Sequence, residues 1–218
     1  MDLPLSYDAI SILYGLAGAY TLYRLVRKHH SFIDRVVTKE DIRLAWMVAI
    51  FLLTPLGVLA HEAGHYLTAE SYGAINIELH HRGYWGFVTY QTGPAFDTGK
   101  QLMISAAGPG VSVLLGYLSL ALAVRLPMRM VFKHTLAFFG IVSILNTLIG
   151  YPLIDLTSGL EGDFHSIYTL PPMPGKVVVG IIHGLLLGLL VLSWKRVGNQ
   201  LEGNKSGLKK IIVTRNQL

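Results

Sequence analysis

A chain of 218 residues with 52% hydrophobic and only 14% charged residues, at a mean hydropathy of +0.48, falls well short of the roughly 25% charge of a soluble domain. The shortage excludes a surface turned mainly to water and suits one compact bundle of about five spans with short loops. The net charge of +5 is what basic flanks of membrane spans produce, and with no basic patch interleaved with aromatics nucleic acid is excluded as a partner.

Five apolar stretches approach the roughly 20 residues that cross a bilayer. They cover residues 9–26, 44–72, 101–124, 131–153 and 177–194. The first lacks a small-residue cleavage pattern and reads as an anchor, followed by a polar, basic connector from Arg27 to Arg43. Between the second and third stretches the pattern changes. Ile75, Ile77 and Leu79 alternate with Asn76, Glu78 and His80, the period-two signature of a half-buried strand. Arg82-Gly83 can turn the chain, and the aromatic and β-branched run from Trp85 to Tyr90 favours a second strand. The tail from Lys195 is polar, as mobile termini are. The expected fold is therefore an all-α membrane protein: a bundle of about five transmembrane helices with a small membrane-associated β-hairpin or sheet. Its parts are an N-terminal anchor and connector (1–43), a core of three spans and a strand segment (44–170), and a C-terminal span with a basic tail (171–218).

Basic residues gather in the first connector, between the third and fourth stretches (Arg125, Arg129, Lys133), and after the fifth. In a five-span topology all three regions lie on one side, which the positive-inside rule makes cytoplasmic. The N-terminus, the strand segment and the loop after the fourth span then lie on the other side.

The chemistry is concentrated in His61-Glu62-Ala63-Gly64-His65. On a helix, His61 and His65 share one face, a turn apart, and can bind one zinc ion. Glu62 stands beside them, placed to take a proton from water at the metal rather than to ligate. Ionisable residues inside an apolar span cost on the order of 3 kcal/mol each, and a metal supplies the compensating interaction. The chain has no cysteine, so the third protein ligand of a tetrahedral catalytic site must be His, Asp or Glu. Asp155, Glu161, Asp163 and His165 are the candidates, all between the fourth and fifth stretches, and spacing does not choose among them. Asn146, within the fourth stretch, either satisfies a neighbouring helix or donates to the substrate carbonyl as it gains charge. Pro109 and Pro152 read as helix-kinking positions, and Gly57, Gly64, Gly108 and Gly110 as sites of close helix approach. His80 and His81 read as interfacial polar residues, while His134 and His183 have no evident partner.

These motifs resemble the site-2 protease family of intramembrane metalloproteases over roughly residues 44–170. His61, Glu62 and His65 match the family's HExxH. The run from Ile104 to Gly108-Pro109 matches its glycine-proline segment, and Asn146, Pro152 and Asp163 match its Asn…Pro…Asp motif. The resemblance implies Asp163 as third ligand, one Zn2+ per chain, a membrane-associated sheet that receives substrate as an added strand, and Asn146 near the reacting carbonyl. The departures are Phe164 and His165 where the family has glycines, a longer interval from Asn146 to Asp163, and Ser112 near a frequent asparagine. Asp155, close behind Pro152, remains the rival ligand. The implied function is a zinc-dependent endopeptidase acting on a transmembrane or membrane-tethered protein substrate in the lipid bilayer, with any regulatory membrane proteins separate from it. Cleavage of exposed loops at the membrane surface is equally compatible. The alternative is a non-catalytic membrane protein of the same fold, acting as a partner-binding scaffold or a metal-handling protein; retention of Glu62 argues against it.

Overall fold

The computed structural model describes residues 5–34, 36–158 and 161–215, with side chains described for 9–34, 36–158 and 161–199. The polar tail beyond 199 therefore lies outside the described side chains. The chain is mostly helical, and five of its helical stretches are long and apolar enough to cross a membrane: Ala9–Arg27, Lys39–Ser71, Thr98–Arg125, Met130–Thr157 and Met173–Asn199. These coincide with the five apolar stretches of the sequence, extended at most ends by polar caps that hydropathy does not register.

Helix α1 covers Leu5–Arg27 and a short α2 covers His29–Phe32. Helix α3 (Lys39–Val48) starts inside the expected connector because Thr38 and Asp41 form a reciprocal capping box, which satisfies two otherwise orphaned N–H groups. Glu40 in its first turn binds Arg24 and Lys28 of the preceding segment at 2.5 and 3.2 Å. Helices α4 (Thr54–Ser71), α5 (Thr98–Arg125) and α6 (Met130–Leu145) follow, with α5 begun by Asp97, whose side chain accepts from the Lys100 N–H at 2.8 Å. Then come α7 (Tyr151–Thr157), α8 (Asp163–Thr169) and α9 (Met173–Arg215).

Two of the long helical stretches contain a widened, π-helical turn, Ala49–Leu53 before α4 and Asn146–Gly150 before α7. Each runs into a proline, Pro55 or Pro152, that has no N–H to donate. The carbonyls left over are met from outside: the Tyr14 hydroxyl donates to Ile50 O, and His183 Nε2–H donates to Leu148 O at 2.8 Å. His183, without a partner in the sequence reading, also accepts the Tyr168 hydroxyl at its Nδ1 at 2.6 Å. It thus ties α9 to α8 and to the fourth helical stretch.

Helix α5 is the centre of the bundle, packed against α4, α6, α8 and α9. Its crossing with α6 is close at Gly116 and Gly140, where a Cβ on Gly140 would lie 2.6 Å from Gly116 O. Around it Leu120, Ala123, Ala137, Ile144, Leu148, Leu190 and Val197 form the main apolar core. Gly64 likewise allows α4 to approach α5 at Ala107, whereas a Cβ at Gly110 would meet nothing within 4 Å.

Strands β1 (Ile75–His81) and β2 (Gly86–Gln91) form one antiparallel two-stranded sheet. Gly83 turns the chain with φ +84, and a bulge between Ile75 and Glu78, with Asn76 at φ 52, breaks the expected alternation at the start of β1. The hairpin is pinned to the bundle. His81 Nε2–H donates to Pro55 O at 3.0 Å, and Trp85 Nε1–H to Ser11 Oγ at 3.2 Å. This lays β2 across the HEAGH segment of α4.

Candidate metal centre

His61, Glu62 and His65 lie in the second half of α4 and are all buried. Their helical spacing turns both imidazoles toward α5 and α8. Helix α8 brings Asp163 to the same point: Asp163 Oδ2 lies 3.2 Å from His61 Nε2 and 3.1 Å from His65 Nε2, and the two nitrogens are 3.0 Å apart. Of the four candidate third ligands, Asp163 alone joins the histidines in a cluster able to hold a metal ion among the described residues.

The donor chemistry fits a cation. His65 Nδ1 stands 2.7 Å from Ile104 O, which can only accept, so Nδ1 carries the proton and a neutral ring presents a lone pair at Nε2. His61 Nδ1 has Ser112 Oγ at 2.9 Å, a partner able to hold it in the same tautomer. Two lone pairs and a carboxylate oxygen then converge, an arrangement that repels itself unless a positive ion lies between them. A tetrahedral site with bonds of roughly 2.05 Å separates its ligand atoms by about 3.3 Å, close to the separations observed.

Gly108 completes the cradle. A Cβ there would lie 2.6 Å from His61 Nε2 and closer still to His65 Nε2. The glycine of the glycine-proline segment, read from sequence as a helix-contact residue, is therefore what leaves space for the ligand nitrogens.

The triad opens on a cavity of about 310 Å³ whose walls include Glu62, four residues of β2 (Gly86, Phe87, Val88 and Tyr90), Tyr151, Asp155 and Glu161. Glu62 rests against the backbone of Gly86, where a Cβ would come within 2.7 Å of its Cγ. The Tyr90 hydroxyl donates to Gln101 Oε1 at 3.0 Å, and burial raises its pKa, so it stays a neutral donor. Asp155 is buried and its Oδ2 accepts from the Phe164 N–H at 2.9 Å. His165 does not line the cavity.

Asn146 lines a second cavity of about 230 Å³ on the opposite side of His61, together with Tyr14, Ser112, Ser143 and Thr147. The Tyr151 ring lies 5.8 Å from the His61 ring and borders both cavities. Tyr151 and Gly86 carried no sequence signal for this site, because aromatic and glycine residues are ordinary in apolar helices and turns.

Comparison with protein-family models, with curated proteins and with solved structures found no match for this chain.

Proposed function

We propose that this protein is a multi-pass membrane protein acting as a zinc-dependent endopeptidase of the site-2 protease type. The observation that carries the reading is the convergence of His61, His65 and Asp163 to within 3.2 Å of one another, with Glu62 buried in the same cavity. A scaffold or metal carrier has no use for that buried carboxylate outside the ligand set.

The membrane assignment rests on the outer faces of the bundle. On α9, Val177, Ile181, Leu185 and Leu192 are each more than half exposed. Large apolar side chains left in water forgo about 1.5–3 kcal/mol each, and a lipid environment removes that cost. The connector, the α5–α6 loop and the tail carry most of the basic charge and face the cytoplasm.

Zinc held by the triad would polarise the scissile carbonyl and lower the pKa of water to about 7. Glu62 takes the proton from the attacking water and returns it to the leaving amine. Ser112 and Ile104 O hold the two imidazoles in the ligating tautomer. The substrate is a transmembrane or membrane-tethered protein whose helix unwinds locally. The unwound stretch lies along β2, whose outer edge has no neighbouring strand among the described residues, and gains main-chain hydrogen bonds there.

The test is metal analysis and cleavage with detergent-purified protein. Unsubstituted protein should carry about one zinc per chain, lost in His61→Ala and in Asp163→Ala. Glu62→Gln should keep the zinc and cleave a membrane-tethered substrate at least 10²-fold more slowly, the usual scale for losing a general base. Full cleavage by the Glu62 variant would refute catalysis at this site.

A further inference from the structure

We propose that Asp155 is the positioning residue that holds α8, and with it Asp163, against the two histidines, rather than a metal ligand itself. The inference rests on the metal reading of the triad and concerns how its third member is placed.

Asp163 is the first residue of a helix only seven residues long. A helix that short is unstable by itself in water, and its first N–H groups have no partner within it. The preceding residue, Gly162, makes no side-chain cap. Asp155, at the end of α7, does so from a distance. Its Oδ2 accepts from the Phe164 N–H at 2.9 Å in a buried setting, and its negative charge suits the positive end of α8.

The chain passes directly over this carboxylate. A Cβ at Gly162 would lie 2.6 Å from Asp155 Cγ and 2.5 Å from Oδ2. No side chain fits there while Asp155 holds its place, so the glycine and the aspartate form one device. The far face of α8 is secured separately, by Phe164, 4% exposed, and by the Tyr168–His183 hydrogen bond. Asp155 therefore fixes the turn that aims Asp163. It stands outside the converging donor set, with an oxygen already spent on the backbone.

The experiment compares zinc affinity, by chelator competition, and the visible spectrum of the cobalt-substituted protein across full-length variants. Asp155→Asn keeps an oxygen that can accept the Phe164 N–H. It should retain zinc affinity within about threefold and leave the cobalt spectrum unchanged. Asp155→Ala and Gly162→Ala should each weaken zinc about 10- to 100-fold, the usual effect of losing a group that orients a ligand. If Asp155→Asn loses zinc as fully as Asp163→Ala does, Asp155 is a ligand and the inference fails. If Asp155→Ala binds zinc as tightly as unsubstituted protein, it has no positioning role. Absence of zinc from unsubstituted protein would instead remove the metal reading itself, and the inference with it.

Discussion

Exchanging one hydrogen for a methyl group at Gly108 should weaken the metal centre, while the same exchange two residues away should not. At Gly108 the new carbon would sit 2.6 Å from His61 Nε2, and nearer to His65 Nε2. Ordinary contact needs about 3.5 Å, so the His61 ring must move by roughly 0.9 Å and the His65 ring by more. Metal sites tolerate deviations of only about 0.2 Å in their bond lengths. The rings have little freedom to yield, since Ser112 and Ile104 O hold their other nitrogens at 2.9 and 2.7 Å. Overpacking of this kind costs about 1–3 kcal/mol. If that strain falls on the ligands, zinc affinity drops roughly 5- to 150-fold, at 1.4 kcal/mol per tenfold. Gly110 has nothing within 4 Å of a Cβ position, so Gly110→Ala should leave zinc at about one per chain. Zinc content and affinity by chelator competition, with thermal unfolding as the control for folding, measure the contrast. Full zinc affinity in Gly108→Ala, or equal loss in both variants, would refute the placement of α5 against the histidines.

The other expectations concern how the ligands and the substrate are held. Ser112→Ala removes the partner of His61 Nδ1 and should weaken zinc about 10-fold or more, measured by the same competition; unchanged affinity would mean the hydroxyl does not orient the ring. Val88→Pro, in the strand that walls the cavity, should impair cleavage of a tethered substrate while zinc stays bound; unchanged turnover would count against strand addition at β2. His183→Ala leaves the Leu148 carbonyl without its donor and should lower stability by about 1–3 kcal/mol without altering zinc content at saturating metal. A thermal midpoint equal to that of unsubstituted protein would contradict the bracing role of α9.

Much of the site is legible along the chain because its strongest elements are local. The four-residue spacing of His61 and His65 puts both on one helical face wherever that helix packs, and the apolar runs mark five long helices by length and composition alone. Period-two alternation marks the hairpin, although the bulge at Asn76 does not show in it. The helices at Lys39 and Thr98 start several residues before the apolar runs, because capping by Thr38, Asp41 and Asp97 governs the boundary rather than hydropathy.

The third ligand depends on relations that spacing cannot express. Asp155, Glu161, Asp163 and His165 lie within eleven positions of one another, and only the packing of α8 against α5 brings Asp163 to the histidines and leaves Asp155 on a backbone N–H. The widened turn and Pro152 leave the Leu148 carbonyl to be met by His183, 35 residues on. Asn146 is set on the far side of His61, with Tyr151 between the two cavities. From its own residues the chain determines which helices form and which two imidazoles pair, because both follow from periodicity within one helix. Which carboxylate joins them, and which glycine makes room, was decided by tertiary structure, because those contacts are between helices whose register no local pattern encodes.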